Sequence, residues 1–392
     1  MKYMGHKRVL LEKGLGAMLL RETKNADRLV DLFCGSGAVA SHVAEVARIP
    51  ALAVDLQQYA VCLAGSVIAR TEPILASAVR ERWLDAAASA RVSDPRWAEY
   101  NNATLGRLTA KSVQHARRVA QDGPGHSIVQ AYGGHYFSLG QALTLEHMLA
   151  TAPKRGHMAT LCSAALVRTG SRCAAAPGHT AQPFQPTPRA IPYIEAAWAK
   201  DPLEVAQAVV EHLGPRHALV KGVAERADAL AVARTLGPSD LVVVDPPYSA
   251  VQYSRFYHVL EALARGTVGE VSGVGRYASM AERPRSDFSL KSKARKACSV
   301  LLDVLAEARC RVIFTFPASR CSNGLSGAEL IAMANARFRV NAVAVNGHFS
   351  TLGGTGHGRP SRHVSEELIL TMVPRRRRTT SPALTSREEH PT

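Results

Sequence analysis

Two short clusters in this chain carry residue types that can do chemistry. The first is Asp245-Pro246-Pro247-Tyr248, which follows the β-branched run Leu241-Val242-Val243-Val244. Such a run reads as a buried strand of a parallel sheet, and open α/β sheets bind ligands beyond the carboxyl ends of their strands. A carboxylate followed by two residues without N–H groups presents only acceptors, with the aromatic Tyr248 beside them in sequence. That set suits a flat ring bearing an exocyclic amine: its hydrogens meet Asp245 and a prolyl carbonyl while the ring stacks on tyrosine. The same four residues also suit an ordinary strand-to-loop turn.

The second cluster is Asp31-Leu32-Phe33-Cys34-Gly35-Ser36-Gly37, at the end of an apolar run and ahead of Ala38-Val39-Ala40. Gly35 and Gly37 allow a tight turn and a close ligand approach at a helix N-terminus. A dinucleotide pyrophosphate fits poorly, because Asp31 repels it and instead suits a cation such as the amino group of a methionine moiety. Asp55 ends the next apolar run, 18 residues after Gly37, where an acidic side chain accepts from both hydroxyls of a ribose. Ribose, a cationic amino-acid end and no phosphate describe S-adenosylmethionine. Cys34 reads as a packing thiol.

These clusters need a scaffold, and the chain is long enough for one. Its 392 residues, 46% of them hydrophobic, can bury a large core. Strand candidates are Arg28–Phe33, Ala51–Asp55, a weaker Ala218–Gly222, Leu241–Asp245, Arg311–Phe316, Arg339–Val345 and Leu368–Val373. Helical stretches fit between them, at Ala38–Ala47, Gln57–Arg70, Leu203–Leu213, Lys293–Ala308 and Ala328–Ala336. The alternation predicts an α/β fold with a doubly wound, mostly parallel, seven-stranded Rossmann-like sheet. Residues 76–215 interrupt it and predict an inserted, mainly helical subdomain, with patches at Ile74–Ala90 and Leu139–Ala152. The predicted division is 1–75 and 216–374 for the two parts of the main domain, 76–215 for the insertion and 375–392 for a basic, disordered tail.

Charge points to the partner. Forty-eight Lys and Arg against 32 Asp and Glu leave a formal +16, which favours a polyanion. Seven scattered Cys without a Cys-x-x-Cys pair predict reduced thiols and no metal site. The absence of a signal-peptide pattern or a bilayer-length apolar run predicts a cytoplasmic protein.

With Tyr3-Met4-Gly5-His6-Lys7 added at the start, the clusters follow an order that resembles the adenine-specific DNA methyltransferases, the Dam-like amino-methylating class. Tyr3 to Lys7 is similar to the family's aromatic-x-Gly-x-Lys element, Asp31 to Gly37 to its cofactor loop, and Asp245 to Tyr248 to its catalytic signature. The resemblance covers about 1–70 and 216–373. It implies a methyltransferase sheet, with Tyr3, Lys7, Asp31, Phe33, Gly35, Gly37 and Asp55 on S-adenosylmethionine and Asp228 near its adenine. It implies Asp245, Pro246, Pro247 and Tyr248 at the reacting amine, and 76–215 as the target-recognition region.

The expected reaction is methyl transfer to the 6-amino group of an adenine flipped out of double-stranded DNA, in restriction-modification, with a cognate endonuclease as a further partner, or in DNA marking. DNA-contact candidates are Tyr253 and Arg255 after the signature, and Arg276, Arg283 and Arg285 in the basic 266–296 stretch, the last three for phosphates. His179 and Gln182 on a Pro- and Gly-rich loop are candidate base readers, and both also suit a structural turn. Phe256 suits the apolar face of a helix better than a pocket wall. RNA adenine methylation and a non-catalytic DNA-binding role remain the alternatives.

Overall fold

The computed structural model describes residues 7–103, 107–350 and 362–375. Tyr3 and the tail beyond Arg375 lie outside them. The described residues form nine strands: β1 (Arg28–Asp31), β2 (Ala51–Asp55), β3 (Val223–Arg226), β4 (Asp240–Val244), β5 (Val271–Ser272), β6 (Tyr277–Ala278), β7 (Arg311–Pro317), β8 (Phe338–Ser350) and β9 (Arg362–Pro374). β5 and β6 make a small hairpin, and the other seven form one sheet in the order β3-β2-β1-β4-β7-β9-β8. Pairing is parallel from β3 to β7, while β9 runs antiparallel between β7 and β8.

Period-two alternation sorts the strand residues onto two cores. Leu29, Ala53, Leu241, Val243 and Ile313 face one layer of helices, and Val30, Val54, Val242, Val244, Val312 and Phe314 the other. Every residue of β4 is buried, as its unbroken apolar run requires at the centre of a covered parallel sheet.

The third strand lies at Val223–Arg226 rather than at Ala218–Gly222. Residues 218–222 run beside the sheet, with the N–H groups of Ala218, Leu219 and Gly222 donating to the carbonyls of Arg70, Ala44 and Ile68. β3 is a sheet edge, three of whose four residues are exposed, so an apolar run was the wrong signal for it.

Residues 76–215 are mainly helical, and their largest side chains join the first core. Trp83, Tyr132, Tyr136, Phe137 and Leu161 form one cluster with Leu29 and Leu241 of the sheet. The helix Gly156–Cys173 packs on the helices Gln58–Ile68 and His258–Arg265. The latter helix comes close at Gly170, where a Cβ would fall 2.3 Å from Leu263 Cδ1. Among the described residues no helix is long and apolar enough to cross a membrane.

Candidate functional site

From β1 the chain winds outward to β2 and β3, and from β4 it winds the other way to β7. β1 and β4 are therefore neighbours whose following connections diverge, and a crevice opens above their carboxyl ends. Both chemical clusters line that crevice, a cleft of about 1000 Å³ that is partly open to solvent. Its wall includes Lys7, Asp31, Phe33, Gly35, Asp55, Asp228, Asp245 to Tyr248 and Tyr253.

The Gly loop is shaped by two left-handed residues, Gly35 (φ 48°) and Gly37 (φ 72°), the second of which caps the helix Ala38–Val46. A side chain at Gly37 would put its Cβ 2.7 Å from Ala64 Cα in the neighbouring helix. Asp31 is buried at 2% exposure, and its carboxylate accepts from the N–H groups of Phe33 and Ala40. Burial above all, then the charges of Asp245 and Asp55, push its carboxyl up to about 7. Among the described residues no Lys, Arg or His pairs with it. Asp55 accepts from Gly35 N–H at one oxygen and from Gln57 N–H at the other, each at 3.0 Å. Burial lifts its carboxyl to about 6 against those two bonds. Asp228 stands exposed on the cleft edge and caps the short helix Ala229–Ala233 through Leu230 and Ala231 N–H, both at 3.0 Å.

At the other end Asp245 is held from one side. Its Oδ1 accepts from Thr315 Oγ1 at 2.8 Å and pairs with Lys7 Nζ at 2.9 Å. Lys7, only 6% exposed, also pairs with Glu367 on β9. The carboxyl of Asp245 still lies above its ordinary range, because burial outweighs Lys7. For the same pair of acids Lys7 stays raised, their charges overcoming its own burial. Pro247 O accepts from Asn323 Nδ2 at 3.2 Å, and the same amide group donates to Phe288 O. Among the described residues no group donates to Pro246 O. The Tyr248 and Tyr253 hydroxyls bond to each other, and Gln252 grips the backbone of Ser286 by both side-chain atoms. These bonds fix the wall beyond Asp245, where Phe288 also meets Phe33 edge-on at 5.1 Å.

The cleft thus gathers the described cofactor and signature candidates except Gly37, which shapes the loop from behind the lining, but only Tyr253 of the DNA candidates. Arg255 and Arg285 are exposed and Arg283 half-buried. Arg276 takes a left-handed φ of 53° and donates to the carbonyls of Ala131 and Gln130. His179 accepts from Ala181 N–H and lies against Phe256, which is buried in the core. Gln182 is exposed. Thr315, Asn323, Phe288 and Glu367 had no place in the sequence reading. Of these, Glu367 left a trace, an acid set against the apolar run of β9. Neither a scan against protein-family models nor a search of curated proteins finds a match to this chain.

Proposed function

We propose that this protein transfers a methyl group from S-adenosylmethionine to the 6-amino group of an adenine in double-stranded DNA. The observation that carries the reading is the arrangement at Asp245. Lys7 and Thr315 occupy one of its oxygens, and among the described residues neither the other oxygen nor the carbonyl of the adjacent Pro246 has a donor. Two acceptors next to each other at a cleft wall suit the two hydrogens of one amine.

The cofactor end supports the same reading. Asp31 is a buried carboxylate without a cationic partner among the described residues, and a ligand ammonium supplies one. Asp55 keeps acceptor capacity beyond its two backbone bonds, which suits ribose hydroxyls. Bound S-adenosylmethionine brings a methyl on a sulfonium, which departs as a neutral thioether when the C–S bond breaks. The protein's task is to hold the amine in line with that carbon. Accepting both amine hydrogens withdraws the nitrogen lone pair from the ring and aims it at the methyl, and Tyr248 flanks the base. After transfer the nitrogen sheds one proton, for which the Asp245 carboxylate is the adjacent acceptor.

The test is transfer of labelled methyl groups to adenine in duplex DNA. Wild-type protein should label it, and Asp245→Ala should lose at least about a hundredfold in rate while still binding S-adenosylmethionine. Labelling of RNA but not DNA would move the substrate class, and labelling of neither would defeat the proposal.

A further inference from the structure

A second feature lies next to cleft-lining residues and rests on the same functional reading. Arg255 follows the cleft-lining residues Gln252, Tyr253 and Ser254, and Arg283 precedes the cleft-lining Pro284. The two approach one ring, that of Tyr277 in the β5–β6 hairpin. The guanidinium carbon of Arg255 lies 4.7 Å from the ring centroid and that of Arg283 5.5 Å. Two cations on one ring repel each other, and the quadrupole of the ring offsets part of that cost.

Among the described residues neither guanidinium has a carboxylate within ion-pair distance. Glu261 and Glu282 line the hollow behind Arg283, but Glu261 is engaged by Tyr59 N–H at 3.1 Å. Arg283 Nε and the Tyr277 hydroxyl are buried and lack a hydrogen-bond partner. Two cations without a carboxylate partner, held on one ring, describe a site suited to an anion that arrives from outside.

We propose that Arg255 and Arg283, pinned by Tyr277, clamp a single phosphodiester of the strand that carries the target nucleotide. Guanidinium forks match phosphate oxygens in pairs, and the clamp stands just outside the pocket wall that a flipped base would meet. A base drawn into the cleft leaves its phosphate at the rim. Arg276 is left out of this role because its Nε and Nη2 are already turned to the carbonyls of residues 131 and 130.

The experiment measures affinity for a short fluorescent DNA duplex between about 50 and about 200 mM salt. Each phosphate neutralised contributes about 0.9 to the slope of log affinity against log salt. Arg255→Ala and Arg283→Ala should each lower that slope by about 0.9, and the double variant should lower it no further. Tyr277→Leu should lower it as well, whereas Tyr277→Phe keeps the ring and most of the slope. An unchanged slope in the double variant, with S-adenosylmethionine still bound, overturns the clamp. A double loss of about 1.8 assigns the arginines to separate phosphates and overturns it too. Should wild-type protein methylate no adenine while these slopes shift as stated, the functional reading fails and the clamp stands.

Discussion

The carboxyl of Asp31 should make cofactor binding depend on pH in a specific way. Its folded value of about 7 against an ordinary 3.8 corresponds to about 4 kcal/mol of disfavoured charge. In the free protein a raised carboxyl stabilises the fold at low pH, and that contribution fades as pH rises from about 4 to about 7. A bound ammonium reverses the preference, so binding below pH 7 must expel a proton from Asp31. Affinity for S-adenosylmethionine should therefore fall nearly tenfold per pH unit below 7, about twentyfold between pH 7.5 and 5.5. Above about 8 the free amino group of the ligand loses its charge and affinity falls again. Calorimetry in buffers of different ionisation enthalpy reads both the affinity and the proton released. Asp31→Asn should weaken binding at pH 7.5 by about tenfold to a hundredfold, the worth of one charged hydrogen bond. At pH 5.5 the two proteins should converge, leaving a shallower limb near 6 from Asp55. A wild-type affinity that stays flat from pH 5.5 to 7.5, with no proton release, would refute the electrostatic account of this end of the cleft.

Lys7→Met leaves Asp245 and Glu367 facing each other without their shared cation. Stability should drop by about 3 kcal/mol in chemical denaturation, and the acid limb of the methylation rate should move to higher pH as Asp245 gains its proton more readily. Adding Glu367→Gln to Lys7→Met should recover part of that stability, since one buried charge is then gone; no recovery would mean that the trio is not coupled. Gly37→Ala combines a left-handed φ of 72° with a Cβ 2.7 Å from Ala64 Cα. The thermal midpoint should report a loss of about 3 kcal/mol, together with weakened cofactor binding.

Local chemistry was legible in the sequence where neighbours along the chain decide it. Leu241 to Val244 could only be a covered central strand, and the spacing of Gly35 and Gly37 before an alanine-rich helix could only be a tight turn. β3 was misplaced by several residues because an edge strand has no apolar signature to read. The engagement of Arg276 with residues 130 and 131 was beyond reach for another reason. Its type and its basic surroundings announce a surface cation, and only folding brings two free carbonyls to it. The Lys7–Glu367 pair, 360 residues apart, depends on β9 folding back between β7 and β8, which no periodicity encodes. The acid in β9 could still be noticed as a charge in a strand otherwise suited to the core, a position that needs a partner.

The electrostatics of the cleft and of the chain run in opposite senses, and this contrast bears on substrate. A protein of net charge +16 has collected Asp31, Asp55 and Asp245 on the floor of one cleft, where Lys7 is the only cation among the described lining residues. The carboxyls of Asp31 and Asp245 both lie above their ordinary range, burial being the main cause for each and the neighbouring acids adding to it. An acidic floor favours a ligand bearing an ammonium and a sulfonium, and it repels phosphate. The rim, with Arg255 and Arg283 unpaired, has the opposite preference. Under the proposed function a nucleic acid would keep its backbone off the floor and lower a neutral base between Tyr248 and Asp245, with its phosphate at the arginines. On that reading this division of charge between floor and rim favours extrusion of the base.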